Sequence, residues 1–231
     1  MVMLFIVDFD GTIAPRDTVD GLLDRFADPA WKEIEEAWVA GHLNSRDCMR
    51  SQIALVSADH PALEEYFQSV EIDSSFPDFV QCASAIGEVA VVSDGLDYPI
   101  RCALERQGVT SIPVFANRLE FRAHGLNLSF PHSSAACTPQ SGVCKCAVAR
   151  SLDAGRGLHT VLIGDGRSDL CIARSADYVF AKDSLQRYCQ VEGIAHTPFE
   201  SFSDVLDVIR NWDTAHSNLI LREPSCRRAT R

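Results

Sequence analysis

The sequence predicts an α/β protein: a doubly wound, mainly parallel sheet with an α-helical segment inserted after its first strand. Three observations predict it. Met3–Val7 (MLFIV) is a short, unbroken apolar run that stops at Asp8, as a strand buried on both faces should read. Residues from about Asp17 to Val70 then carry helical periodicity and almost no strand signal. From Phe76 onward, strand-like apolar runs alternate with helical segments, the pattern of a parallel sheet covered by helices.

Each element follows from local chemistry. Asp17 or Thr18 can cap a first helix through Val19, Leu22, Leu23 and Phe26. Asp28-Pro29 opens a second that carries Trp31, Ile34 and Trp38 toward a stop at Gly41, and Asn44 or Ser45 caps a third through Met49, Ile53 and Val56. His60-Pro61 begins a fourth through Leu63, Tyr66 and Phe67. A helix over Phe79–Ile86 precedes the strand Glu88–Val92, the loop Ser93-Asp94-Gly95 and a helix ending near Gly108. Ile112–Phe115 is the next strand, and Arg118–Phe130 reads as a hairpin turning near His124-Gly125. A helix over Val143–Leu152, strands Thr160–Ile163 and Tyr178–Ala181, a helix after Asp183 and a last one over Ser203–Trp212 complete the pattern. The expected division is a core of residues 1–14 and 76–212, a helical cap of 15–75 and a polar tail of 213–231, with no internal repeat.

Composition narrows the function. The 231 residues are 46% hydrophobic and 23% charged, ordinary for a soluble globular protein. No apolar run reaches the roughly 18 residues of a membrane helix, and Met1–Val7 is followed at once by Asp8 and Asp10, so it reads as a strand rather than a signal segment. A formal charge of −11 argues against nucleic acid and anionic membranes as partners. An anionic substrate would need a local cation to overcome that field. The nine cysteines are mostly scattered, which fits small buried hydrophobes in a reducing cytoplasm better than a disulfide framework.

The polar strand ends carry the chemistry. Val7 runs into Asp8-Phe9-Asp10-Gly11-Thr12, Val92 into Ser93-Asp94-Gly95, and Ile163 into Gly164-Asp165-Gly166. In open α/β sheets, ligands sit outside the carboxyl ends of the strands, so adjacent strands would bring these ends into one crevice. Carboxylates gathered there require a cation, and an oxygen-rich set suits Mg²⁺. Of Asp8 and Asp10, one can be a metal-bound nucleophile while the other serves as general acid and base. Gly11 frees the turn, Thr12 can donate to a phosphate oxygen, and Ser93 adds a hydroxyl. Only three lysines occur, the other eighteen basic residues being arginine; Lys145, early in a helix, is the candidate point charge for a phosphoryl group.

The order DFDGTI, VVSDG, lysine, IGDGRSDL resembles the haloacid dehalogenase superfamily of phosphatases and spans nearly the whole chain. The resemblance implies a Mg²⁺-dependent phosphatase acting on a small-molecule phosphate ester. Asp8 would be the nucleophile that becomes phosphorylated and Asp10 the acid and base. Thr12, Ser93, Asp94, Gly95 and Lys145 would hold the phosphoryl group, and Asp8, the Asp10 carbonyl, Asp165 and Asp169 would serve the metal. The inserted helices, and the stretch Phe115-Ala116-Asn117-Arg118-Leu119, resemble the phosphoserine-phosphatase-like branch.

Three substrate classes compete. Phosphoserine phosphatases carry a cap glutamate and a cap arginine; Asp17 and Gln52 stand there, which removes the bidentate carboxylate clamp unless Arg50 or Arg46 replaces it. The run Pro131-His132-Ser133, Cys137 and Val143-Cys144-Lys145-Cys146, with Asp94-Gly95-Leu96-Asp97 and Phe180-Ala181-Lys182-Asp183, resembles the methionine-salvage phosphatases of 2-hydroxy-3-keto-5-methylthiopentenyl 1-phosphate, and this is the favoured reading. A related run occurs in phosphocholine and phosphoethanolamine phosphatases. Cys137, Cys144, Cys146 and His132 as zinc ligands fit less well than a packed loop beside the phosphate site, because C-x6-C-x-C is not a usual zinc spacing. Trp31 and Trp38 read as cap core, and His42, His60 and His124 as solvated turns. Arg16 is read equally as facing the substrate or the surface. A phospho-aspartate signalling module is the alternative of another class; the insertion and Asp10 both argue against it.

Overall fold

The computed structural model describes residues 2–122 and 125–214, with the side chains of 213 and 214 excepted. Strand β1 (Met3–Val7) is the centre of a seven-stranded sheet. Leu4 to Val7 are fully buried, and their side chains alternate between two cores: Phe5 and Val7 face one, Leu4 and Ile6 the other. A strand apolar at every position is therefore what two helical layers require.

Four helices follow before the sheet resumes. They are α1 (Thr18–Phe26), α2 (Trp31–Val39), α3 (Ser45–Ile53) and α4 (His60–Gln68). The side chains of Asp17, Asn44 and Asp59 accept the first free amides of α1, α3 and α4, each cap contributing about 1 kcal/mol. Leu22, Leu23, Trp31, Ile53, Leu63 and Phe67 form a third core with Leu96, Leu119 and Leu128 of the sheet. This block thus packs on itself and on one corner of the sheet.

The remainder alternates. In order come α5 (Phe76–Ser84), β2 (Gly87–Leu96), α6 (Asp97–Arg106), β3 (Val114–Arg122), β4 (Gly125–Ser129), α7 (Lys145–Asp153) and β5 (His159–Gly164). A single 3₁₀ turn over Arg167–Asp169 leads into α8 (Leu170–Ala173), then β6 (Tyr178–Ala181), α9 (Asp183–Glu192), β7 (Thr197–Pro198) and α10 (Phe202–Thr214). The sheet order is β4-β3-β2-β1-β5-β6-β7, parallel except for the β3–β4 hairpin. The chain winds one way from β1 and the other way from β5, so the switch of direction lies at β1. That is where doubly wound sheets place ligands.

Several boundaries differ from expectation. The expected loop Ser93-Asp94-Gly95 lies inside β2, which runs past the last β1 pairing at Val91 and pairs Leu96 with Asn117 after a register shift from Val92. The expected strand Ile112–Phe115 and the first hairpin arm are one strand, β3. Residues 116–117, which fall between the two expected elements, continue the strand, and Asn117 is fully buried and donates to the Asp94 carbonyl. Helix α5 starts three residues early because Pro77 fits the first helical turn. The hairpin turn expected near His124 falls on residues 123–124, outside the described residues, as do Cys226 and the tail from 215. No helix among the described residues is long and apolar enough to cross a membrane.

Candidate active site

Asp8 stands one residue beyond β1, its amide still donating to the Ile163 carbonyl at 2.9 Å. Its Oδ1 accepts the Phe9 amide at 2.8 Å. Its Oδ2 accepts Lys145 Nζ at 2.7 Å and the Ser168 hydroxyl at 3.2 Å. Lys145, first residue of α7, also donates to Asp169 Oδ1 at 2.6 Å, and its side chain is only 2% exposed. Burial pulls the ammonium pKa down, but Asp169 and Asp8 outweigh it and raise it overall, so the cation stays charged.

Asp8, Asp165 and Asp169 each bring an oxygen within 4.8 Å of the others. Burial first, then the charge of Asp8, raises Asp165 to about 6 and Asp169 upward as well. One ammonium against three carboxylates leaves surplus negative charge, and hard oxygen donors of this kind fit Mg²⁺. The surroundings fix Asp165. Thr12 takes Asp165 Oδ1 at 2.7 Å, while a Cβ on Gly11 (φ 73°) would lie 2.3 Å from Asp165 Oδ2. The Thr12 hydroxyl, expected to donate to a phosphate oxygen, donates here to Asp165 and orients it.

Asp10 turns away from those three. Its Oδ1 accepts the Thr18 amide at 2.8 Å and the Thr18 hydroxyl at 2.6 Å. Burial, then Asp17, raises its pKa well above the ordinary carboxylate value against the opposing Thr18 hydrogen bonds, so Asp10 can hold a proton beside Asp8. Its Oδ2 packs against Gly95, where a Cβ would come within 2.2 Å. Gly95→Ala must displace the Asp10 carboxylate, and the expected result is a fall in kcat of about tenfold or more, the cost of misplacing a reacting group. Kinetics beside a thermal melt check it; unchanged kcat would refute the packing argument.

Ser93 and Asp94 complete the second strand end. The Ser93 hydroxyl is buried, lines the cleft and accepts the Gly95 amide at 2.9 Å. The Asp94 carboxylate is taken by Ser45, Val143 and Asn117.

These groups floor a cavity of about 400 Å³ roofed by α1–α3. The roof supplies Val19, Leu43 and Met49 as apolar lining and Asp17, Asp20 and Glu35 as acidic lining. Gln52 is buried and donates to Glu35 at 2.9 Å. Arg50 lies instead on Asp47 and Phe130, and neither it nor Arg46 lines the cavity. Trp38 does line it, which corrects its reading as cap core; Trp31 is core, as expected. Arg167 stacks on Trp38 at 5.0 Å and is the cavity's one lining arginine. Arg16 lines a separate small cleft near Tyr66. Cys137, Cys144, Cys146 and His132 do not converge as ligands, the three carboxylates being the one such group among the described residues. Cys171 is exposed, unlike the buried Cys48 and Cys189.

Sequence reasoning gave no site role to Ser168 or Arg167 and read Thr18 and Ser45 only as candidate helix caps. Ser168 was legible in principle, since it sits inside the IGDGRSDL run. Thr18 gave no signal, because its bond to Asp10 is created by the chain's path into α1.

Comparison with known proteins agrees with this geometry. The family model of haloacid dehalogenase-like hydrolases matches residues 5–174. A 2-hydroxy-3-keto-5-methylthiopentenyl-1-phosphate phosphatase of Exiguobacterium sp. strain AT1b is 32% identical over 204 residues, 87% of this chain and 94% of that one. One of the same description from Geobacillus kaustophilus is 28% identical over 215 residues, covering 91% and 97%. Among solved structures, a substrate-bound phosphoserine phosphatase complex superposes with a TM-score of 0.67 at 19% identity, covering 90% of this chain and 98% of that one. A HAD family hydrolase from Salmonella enterica serovar Typhi gives 0.71 at 19%, covering 90% and 71%. At those identities the structural likeness is one of fold. The chain belongs to the haloacid dehalogenase-like hydrolase family and is a phosphatase.

Proposed function

We propose that the protein is a Mg²⁺-dependent phosphomonoesterase that works through an aspartyl phosphate on Asp8, with 2-hydroxy-3-keto-5-methylthiopentenyl 1-phosphate as its substrate. The observation that carries the reaction is the convergence of Lys145 on Asp8 and Asp169 beside Asp165. Asp8 attacks phosphorus, the bond to the leaving oxygen breaks, and Asp10 gives its proton to that oxygen. Asp10 then takes a proton from water, the water oxygen attacks phosphorus, and inorganic phosphate departs as Asp8 is regenerated. Lys145 balances charge on the transferring oxygens throughout. Asp8 and Asp165 would hold Mg²⁺ with the Asp10 carbonyl, Asp169 standing behind them. When bound, the ion supplies the positive charge that phosphoryl transfer demands. The helical block over residues 15–75 acts as the cap that covers the reaction. Eight free cysteines among the described residues support a reducing cytoplasmic setting.

The relatives' shared description supports the substrate. So does the roof: Val19, Leu43, Met49 and Trp38 suit an uncharged thioether chain, whereas no roof arginine awaits a carboxylate. The acidic lining of Asp17, Asp20 and Glu35 favours a second reading, a cationic leaving group such as choline or ethanolamine. A panel of esters assayed with Mg²⁺ separates them: phosphoserine, phosphocholine, phosphoethanolamine and a methylthio-pentulose phosphate analogue. The expected result is a kcat/KM for the thioether ester about tenfold or more above phosphoserine, the discrimination one buried unpaired charge can give. Preference for phosphoserine would overturn the substrate assignment, and hydrolysis of none would overturn the reaction.

A further inference from the structure

Asp94 sits in the cleft wall, yet its carboxylate is spent on three different parts of the chain. Oδ2 accepts the Ser45 hydroxyl at 2.7 Å, from the first residue of α3 in the inserted block. Oδ1 accepts the Val143 amide at 2.9 Å, from the loop two residues before Lys145. Asn117 of β3 adds a bond to Oδ1 at 3.3 Å and clasps the Asp94 carbonyl at 2.6 Å.

The same Asn117 amide lies 3.4 Å from the sulfur of Met49, one turn further along α3. On its other side Gly142 packs so closely that a Cβ there would fall 2.3 Å from Asn117 Oδ1. The pair of half-buried Asp94 and buried Asn117 therefore receives α3 on one face and the Lys145 loop on the other. Two residues beyond Val143, the Lys145 ammonium meets Asp8 and Asp169.

We propose that Asp94 is a positioning residue that couples the seating of α3 to the placement of Lys145. Helix α3 docks on it through Ser45, and Asp94 fixes the lysine-bearing loop through the Val143 amide. The link is short and physically continuous: hydroxyl, carboxylate, amide, then one turn of chain to the ammonium. An open cap removes one donor from Asp94 and loosens the loop, so the phosphoryl-neutralising charge is best placed when the roof is down. The proposal rests on the reading of Lys145 as the phosphoryl-balancing cation.

The test is a double-variant cycle on the full chain with p-nitrophenyl phosphate and Mg²⁺. Ser45→Ala is expected to lower kcat about tenfold, the loss of one hydrogen bond to a charged acceptor, with KM changed less than about twofold. Ser45→Thr, which keeps the hydroxyl, restores kcat. In an Asp94→Ala background, where the acceptor is gone, Ser45→Ala costs no further activity, because the Ser45 hydroxyl acts only through that carboxylate. Losses that multiply, or a Ser45→Ala enzyme with parental kcat, overturn the coupling. Hydrogen exchange at the Val143 amide is a second, activity-independent arm. It is expected to speed up in Ser45→Ala, and unchanged protection overturns the proposal even if the protein hydrolyses no ester.

Discussion

Asp8→Asn is expected to abolish Mg²⁺-dependent turnover of p-nitrophenyl phosphate, a loss on the order of 10⁴-fold or more, as removal of a covalent nucleophile typically costs. The substitution keeps the shape of the site. An asparagine oxygen can still accept the Phe9 amide that Asp8 accepts at 2.8 Å, and the neighbouring strand pairings are untouched. What it loses is nucleophilic charge, together with a full partner for Lys145 and for a metal. The fold should survive, since replacing one of three crowded carboxylates by an amide relieves repulsion with Asp165 and Asp169. Acid-quenched protein should carry phosphate on the parent enzyme during turnover and none on the variant. Full activity in Asp8→Asn would remove Asp8 from the reaction.

The strand ends were legible because the signals that made them are local. An apolar run ending at Asp8 must be a buried strand, and Val7 and Ile163 pair side by side across β1 and β5, so the motifs at their ends meet. Lys145 was legible by scarcity. Other roles are set by tertiary paths that no window of sequence contains. The Thr12 hydroxyl is captured by Asp165, 153 residues away, and Thr18 reaches back eight residues to Asp10 only because the chain turns into α1. Asn117 falls in the gap between two elements expected from sequence, but burial between α3 and the Lys145 loop makes it a strand residue. Trp38 shares a helical face with Trp31 in sequence, yet α2 is short and its far end stands over the cleft, where Arg167 covers the ring.

The charge balance ties the site to the whole molecule. A chain of net charge −11 with acidic residues around its cleft repels a phosphate dianion at long range. The attraction must come from a few groups at short range, where the low dielectric of a buried site strengthens them. Lys145 is the buried member of that set, which is why its loss should be felt twice.

Lys145→Met keeps the length of the side chain and deletes its charge, leaving Asp8 and Asp169 buried without their shared partner. Breaking a buried ion pair from one side costs about 3–5 kcal/mol. At about 2–4 °C per kcal/mol for a protein of this size, the melting temperature should fall by roughly 10 °C. Turnover should fall by about 10²–10³-fold, the effect of removing a preorganised charge from a developing one. The two losses have different owners, and a second substitution separates them. Adding Asp169→Asn removes the stranded carboxylate, so stability should largely return while turnover does not. The sign of the pH dependence follows from the same cause. In Lys145→Met the buried Asp169 carboxyl is pushed further above the value it holds in the parent, itself raised to about 8 by burial and the charge of Asp8, so the deficit against the parent is smallest where both proteins keep Asp169 protonated and grows as pH rises through the parent's folded value. Melts from acid to alkaline pH, carried past the parent's Asp169 value, check this; a deficit independent of pH would mean that packing, and not the ion pair, holds the site together.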